Sequence, residues 1–186
     1  MKNLQDIIQE KLQIGSKSKI SQYKYHPKDK GELKQLLKLL LDERGKDANL
    51  NDIDTSKITD MSNLFENLNP HNIDISKWDV SNVTNMLCMF YGCKNFNSDL
   101  SKWNVSNVEN MYKMFYKCRN FNSDLSKWDV SNVFNMKYMF LACKNFNCDL
   151  SNWDISNIRY MDYMFDITSL EKNPPKWYIK WHKNNI

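Results

Sequence analysis

Four tryptophans, Trp78, Trp103, Trp128 and Trp153, stand 25 residues apart along the chain. The other columns keep the same register: Met86, Met111, Met136 and Met161; Phe90, Phe115, Phe140 and Phe165; Cys93, Cys118 and Cys143. An incomplete copy comes first, because IDTSKITDMSNLF (53–65) matches WDVSNVTNMLCMF (78–90) with Ile53 in the tryptophan place. That makes five coils, the first degenerate. A fixed period of this size predicts a solenoid, in which each coil buries its apolar face only by stacking on its neighbours. The chain of 186 residues suits one sizeable core, and its four glycines and 13% aromatic content argue for packing rather than disorder.

Within a coil the apolar spacing changes. In LSKWDV, Trp128 and Val130 lie two apart, which predicts a strand with Lys127 and Asp129 on its other face. In VFNMKYMFLAC, Val133, Met136, Met139, Phe140 and Cys143 recur at three and four, which predicts a short helical or 3₁₀ segment. One strand and one helical segment per coil predict an α/β solenoid of leucine-rich-repeat type. It would be a right-handed coil with a parallel β-sheet on its concave face, short helical or 3₁₀ segments on its convex face and an N-terminal capping helix.

The coil FNSDLSKWDVSNVxNMxxMFxxC resembles the repeat of the BspA-like leucine-rich-repeat surface proteins, in the group called domain of unknown function 285. The likeness covers residues 49–165, with NDIDTSKITDMSNLF (51–65) resembling the opening of the array. The resemblance implies an interaction scaffold at the cell surface. The N-terminus, MKNLQDIIQEKL, lacks the apolar run of an export signal and no stretch suits a membrane span, which favours a cytoplasmic place instead.

The ends divide from the array by composition. Residues 1–22 are expected to form a loosely docked or mobile segment, and residues 23–48 a helical cap. Asp29 and Glu32 there make a capping box, Gly45 ends the helix, and Leu33, Leu36, Leu37, Leu40 and Leu41 share one face. Residues 49–165 hold the five coils. Residues 166–186 end in KWYIKWHKNNI, an aromatic and basic cap or tail. The net charge of +4 is largely that of this tail, so the array has no continuous basic face of a nucleic-acid binder.

Three columns invite chemistry. Cys93, Cys118 and Cys143 lack a second ligand pair and an aligned histidine, so buried free thiols are expected ahead of a disulfide or zinc, with Cys88 and Cys148 incidental. Stacked acids such as Asp74, Asp99, Asp124 and Asp149 could hold calcium, but glycine-rich turns are missing. Lys77, Lys102 and Lys127 are expected to neutralise the acids across the sheet. Asn82, Asn107, Asn132 and Asn157 are expected to satisfy backbone groups.

No catalytic signature or cofactor motif is visible, and near-identical coils offer no point where different residues converge. The expected function is a non-enzymatic scaffold, monomeric, binding an unidentified protein partner through the concave strand face. Its residues would be Lys77, Asp79, Lys102, Asn104, Lys127, Asp129, Asn152 and Asp154. The alternative is peripheral association of the tail with a membrane or polyanion, which a single short segment would sustain only weakly.

Overall fold

The computed structural model describes residues 23–66 and 68–185. The segment 1–22, expected to be loosely docked or mobile, lies outside the described residues.

Helix α1, Lys30–Arg44, begins where the sequence supplies a cap: the Asp29 side chain accepts the Glu32 N–H at 2.9 Å, and Glu32 Oε2 accepts the Lys28 N–H at 2.9 Å. It ends at Gly45, whose φ of 87° is open to glycine and whose N–H donates to the Leu41 carbonyl. Five of its six leucines, Leu33, Leu36, Leu37, Leu40 and Leu41, are buried in the common core, and Leu39 packs against it partly buried. Two of its lysines meet the polar rim of the first coil. Lys30 donates to Asp60 (2.6 Å) and Ser62 (2.8 Å), and Lys34 to the Asn63 carbonyl (2.7 Å).

Beyond α1 the chain winds in turns. In one coil, i→i+3 bonds run from Trp103 N–H to Leu100 O, Val108 to Val105, Met114 to Met111, Tyr116 to Lys113, Cys118 to Phe115 and Phe121 to Cys118. Consecutive coils touch by isolated parallel bridges, Asp60–Asn85, Asn85–Asn110, Asn110–Asn135 and Asn135–Tyr160. After each bridge alternate N–H groups donate forward to the next coil: Met86 to Asn110 O, Cys88 to Tyr112 O, Phe90 to Met114 O and Gly92 to Tyr116 O.

This corrects the expected α/β solenoid. Among the described residues there is no β-strand, no parallel sheet and no 3₁₀ segment, only two helices, so the leucine-rich-repeat architecture with a strand-lined concave face does not hold. Both errors have local causes. In LSKWDVSN the Asp129 side chain accepts the Ser131 N–H, and Trp128 and Val133 close turns on Leu125 and Val130, so the chain bends before a strand can extend. In NMKYMFLAC a helix is broken by left-handed residues, Tyr138 at φ 61° and Ala142 at φ 62°, which recur in the other coils. Apolar side chains two, three and four apart still reach one interior, but from turns.

The core is built from columns. Phe65, Phe90, Phe115, Phe140 and Phe165 stack face to face at 5.0 to 6.0 Å, and Phe96, Phe121 and Phe146 form a second pile at 5.7 and 5.9 Å. Each Trp Nε1–H donates to a backbone carbonyl of the coil before: Trp78 to Leu50, Trp103 to Ile75, Trp128 to Leu100 and Trp153 to Leu125, at 2.9 to 3.1 Å. Helix α2, Lys176–Asn185, continues this column although it is not a coil. Trp177 stacks on Trp153 at 6.4 Å and its Nε1–H donates to Leu150 O at 2.8 Å, while Tyr178 is buried against Phe165.

Candidate functional site

Asp79, Asn104, Asp129 and Asp154 share one column, and each accepts the N–H of the serine two residues on through Oδ1. The serine hydroxyl donates to the same oxygen: Ser81 and Ser131 at 2.6 Å, Ser106 at 2.8 Å, and Ser156 likewise. These side chains hold their own turns. Asn and Asp exchange freely at this place because both offer the same acceptor. The serine bonds also hold Asp129 and Asp154 below the usual carboxylate range.

Lys77, Lys102, Lys127 and Asn152 form the neighbouring exposed column. The cross-sheet pairing expected for them has no sheet to form on, and among the described residues no ion pair joins these lysines to the acids. The asparagines behave as structural groups: Asn82, Asn107, Asn132 and Asn157 donate through Nδ2 to the Ser56, Ser81, Ser106 and Ser131 carbonyls. Asn82, Asn107 and Asn132, with Thr84, Glu109 and Phe134, line a shallow groove of about 390 Å³.

Cys93, Cys118 and Cys143 are buried free thiols. Each S–H donates to a phenylalanine carbonyl of the preceding coil, Cys118 to Phe90 O at 2.9 Å and Cys143 to Phe115 O at 2.7 Å. Burial pushes the Cys93 thiol up to about 12, and Cys118 and Cys143 upward as well. A thiol held neutral this way is a poor nucleophile and a poor ligand.

A different surface gathers a second set of residues that differ between coils, besides Thr84, Glu109 and Phe134 of the groove. The positions left open in NMxxMFxxC are 87 and 88, 91 and 92, and their equivalents in later coils. They carry Tyr91, Tyr112, Tyr116, Tyr138 and Tyr163 together with Lys113, Lys117 and Lys137. Tyr91 stacks on Tyr116 at 5.0 Å and Tyr138 on Tyr163 at 5.4 Å, while Tyr112 meets Tyr138 edge-on at 6.0 Å. The Lys113 ammonium lies 5.0 Å from the Tyr112 ring, 5.4 Å from Tyr116 and 5.2 Å from Tyr138. Hydrogen bonding to Tyr112 raises the Lys113 pKa above its ordinary value. Lys117 covers Tyr116 at 5.0 Å, and Lys137 covers Tyr138 at 5.3 Å while pairing with Asp162 at 3.4 Å.

The residues chosen from the sequence as a binding face therefore lie elsewhere than this tyrosine and lysine patch. Its signal was present as unmatched positions in an otherwise strict repeat. Side chains there lie outside the buried columns, so their variety reports something other than the core.

Among the described residues, no helix is long and apolar enough to cross a membrane and no group of three or more potential metal ligands is gathered. No curated protein and no solved structure matches the chain. A family model does match, over residues 35–130 and again over 105–185, so that its two copies run through α1, the coils and α2. The chain belongs to the family of Mycoplasma proteins of unknown function, DUF285.

Proposed function

We propose that the chain is a non-enzymatic binding module that holds a protein partner on its tyrosine and lysine face. One observation carries the reading: the open positions of NMxxMFxxC collect tyrosines and lysines on one connected surface, whereas the other open column, Thr84, Glu109 and Phe134, lines the asparagine groove and gathers no such cluster. Tyrosine is a residue type enriched at protein interfaces, since its ring gives large contact area at small entropic loss, and the lysines add charge that selects the partner. The resemblance of the repeat to BspA-like surface proteins supports the same reading. Tail association with a membrane is less favoured, because Trp177 and Tyr178 would have to leave the end of the stack and expose Phe165.

Affinity capture from cell extract tests the proposal with two double variants. Tyr116→Ala with Tyr138→Ala should abolish capture, and Lys102→Glu with Lys127→Glu should preserve it. The reverse pattern would move the site back to the lysine and aspartate columns.

A further inference from the structure

We infer that the tyrosine and lysine face receives an acidic segment of its partner, an inference that rests on the binding-module reading. The charge of the face is positive in its third and fourth coils, while Asp162 and Asp166 take the equivalent places in the fifth and Asp162 pairs with Lys137. In the third and fourth coils the variable pairs read Tyr112 and Lys113, Tyr116 and Lys117, Lys137 and Tyr138, then Leu141 and Ala142, with no carboxylate among them. Two residues beyond the last variable position of the second, third and fourth coils stands an exposed cation, Lys94, Arg119 or Lys144. Asn120 N–H bonds to the Lys94 carbonyl and Asn145 N–H to that of Arg119, so these cations recur in step with the coils.

The geometry also separates an acidic polypeptide from a nucleic acid. Base recognition on such a face would use open ring faces. Here most central faces are taken: Tyr91 and Tyr116 lie 9° from parallel at 5.0 Å, Tyr138 and Tyr163 8° from parallel at 5.4 Å, and ammonium groups cover Tyr112, Tyr116 and Tyr138, which leaves open faces only at the ends of the row, on Tyr91 and Tyr163. What the centre of the row offers is hydroxyl and ammonium. Those groups donate hydrogen bonds, and a row of carboxylates accepts them.

The probe is a fluorescent synthetic peptide of alternating glutamate and glycine, with its glutamine counterpart and an oligothymidylate of equal length, measured by anisotropy against salt. The acidic peptide should bind and weaken as salt rises, while the glutamine peptide should bind at least about ten-fold less tightly. Lys113→Gln with Lys117→Gln should weaken the acidic peptide by about ten-fold, and Lys102→Gln with Lys127→Gln, which removes the same charge elsewhere, should leave it unchanged. Tyr116→Phe should weaken it by a few-fold without altering the unfolding midpoint. Equal binding of the glutamine peptide, tighter binding of the oligonucleotide, or equal losses from the two lysine pairs would each overturn the inference. The two readings fail differently. If partner capture depends on Tyr116 and Tyr138 but excess acidic peptide does not compete, only the acidic segment is lost; if capture ignores both tyrosines, the module reading falls with it.

Discussion

Replacing Trp128 by phenylalanine tests the principle by which one coil holds the next. The indole lies 6.4 Å from Phe115, only 4% of its surface is exposed, and its Nε1–H donates to Leu100 O at 3.0 Å. Phenylalanine keeps most of the apolar area and loses the donor. The Leu100 carbonyl retains a second partner, the Trp103 N–H at 3.1 Å, so it is not orphaned, and the lost bond costs about 1 kcal/mol, the low end for a buried group. The missing ring edge leaves a void of a few tens of cubic ångströms, which at about 24 cal/mol per Å³ adds up to about 1 kcal/mol. The expected total is about 2 kcal/mol. Urea unfolding followed by intrinsic fluorescence should show a lower midpoint with an unchanged slope. Trp177→Phe supplies the internal comparison: its bond to Leu150 O is part-buried at the end of the stack, so its loss should be about half as large. A Trp128→Phe cost below about 0.5 kcal/mol, or a Trp177→Phe cost equal to it, would refute the staple and leave only ring packing as the cause.

Left-handed positions offer a second test: Ile167 is exposed at φ 57° and β-branched, so Ile167→Gly should raise stability by about 0.5–1 kcal/mol, whereas Gly92→Ala, at φ 73°, should lower it by about 1 kcal/mol in the same urea titration. Asp99, Asp124, Asp129, Asp149 and Asp154 are held below their ordinary pKa by hydrogen bonds from Ser101, Ser126, Ser131, Ser151 and Ser156, so their contribution is present above about pH 4 and disappears as pH falls through the lowered folded values. Changing all five to asparagine should leave thermal unfolding at pH 7 nearly unmoved, since Asn104 already does the same work uncharged, and should shift acid unfolding to lower pH. In native protein a thiol reagent should label Cys88 and Cys148, which are half-buried, well before Cys93, Cys118 and Cys143, and denaturant should abolish the difference. Equal labelling rates in the folded state would contradict the sealed cysteine column.

The repeat showed clearly which residues lie inside and which determine the register. Trp, Val, Met, Phe and Cys recur because each coil meets a neighbour with the same surface, and every one of these columns is buried between the second and fourth coils. The α1 boundaries were equally readable, since Asp29, Glu32 and Gly45 act within a few residues of chain. The role of Trp177 was harder to see. It follows Trp153 by 24 residues rather than 25, and it sits on a helix, so no alignment of coils reveals that it completes their column.

The strand assigned to the lysine and aspartate columns was illegible for a related reason. Lys102 and Asp129 were chosen by their alternation with Trp and Val, on the premise of a strand. The premise failed because D-x-S lets the aspartate oxygen take the serine N–H locally, and that bond bends the chain every few residues. The tyrosines were passed over because they occupy open positions, which carry no periodic signal.

The amino-acid sequence alone determined the period, the core columns and the α1 cap, because each follows from short-range pattern or from identity between neighbours. Only the tertiary structure decided between strand and turn and gathered Tyr112, Lys113, Tyr116 and Tyr138 into one patch. An apolar residue every second place satisfies either conformation, and the choice depends on whether each N–H finds its acceptor in its own turn or in the next coil. That acceptor lies a full coil away in sequence, and only folding brings it within hydrogen-bonding distance.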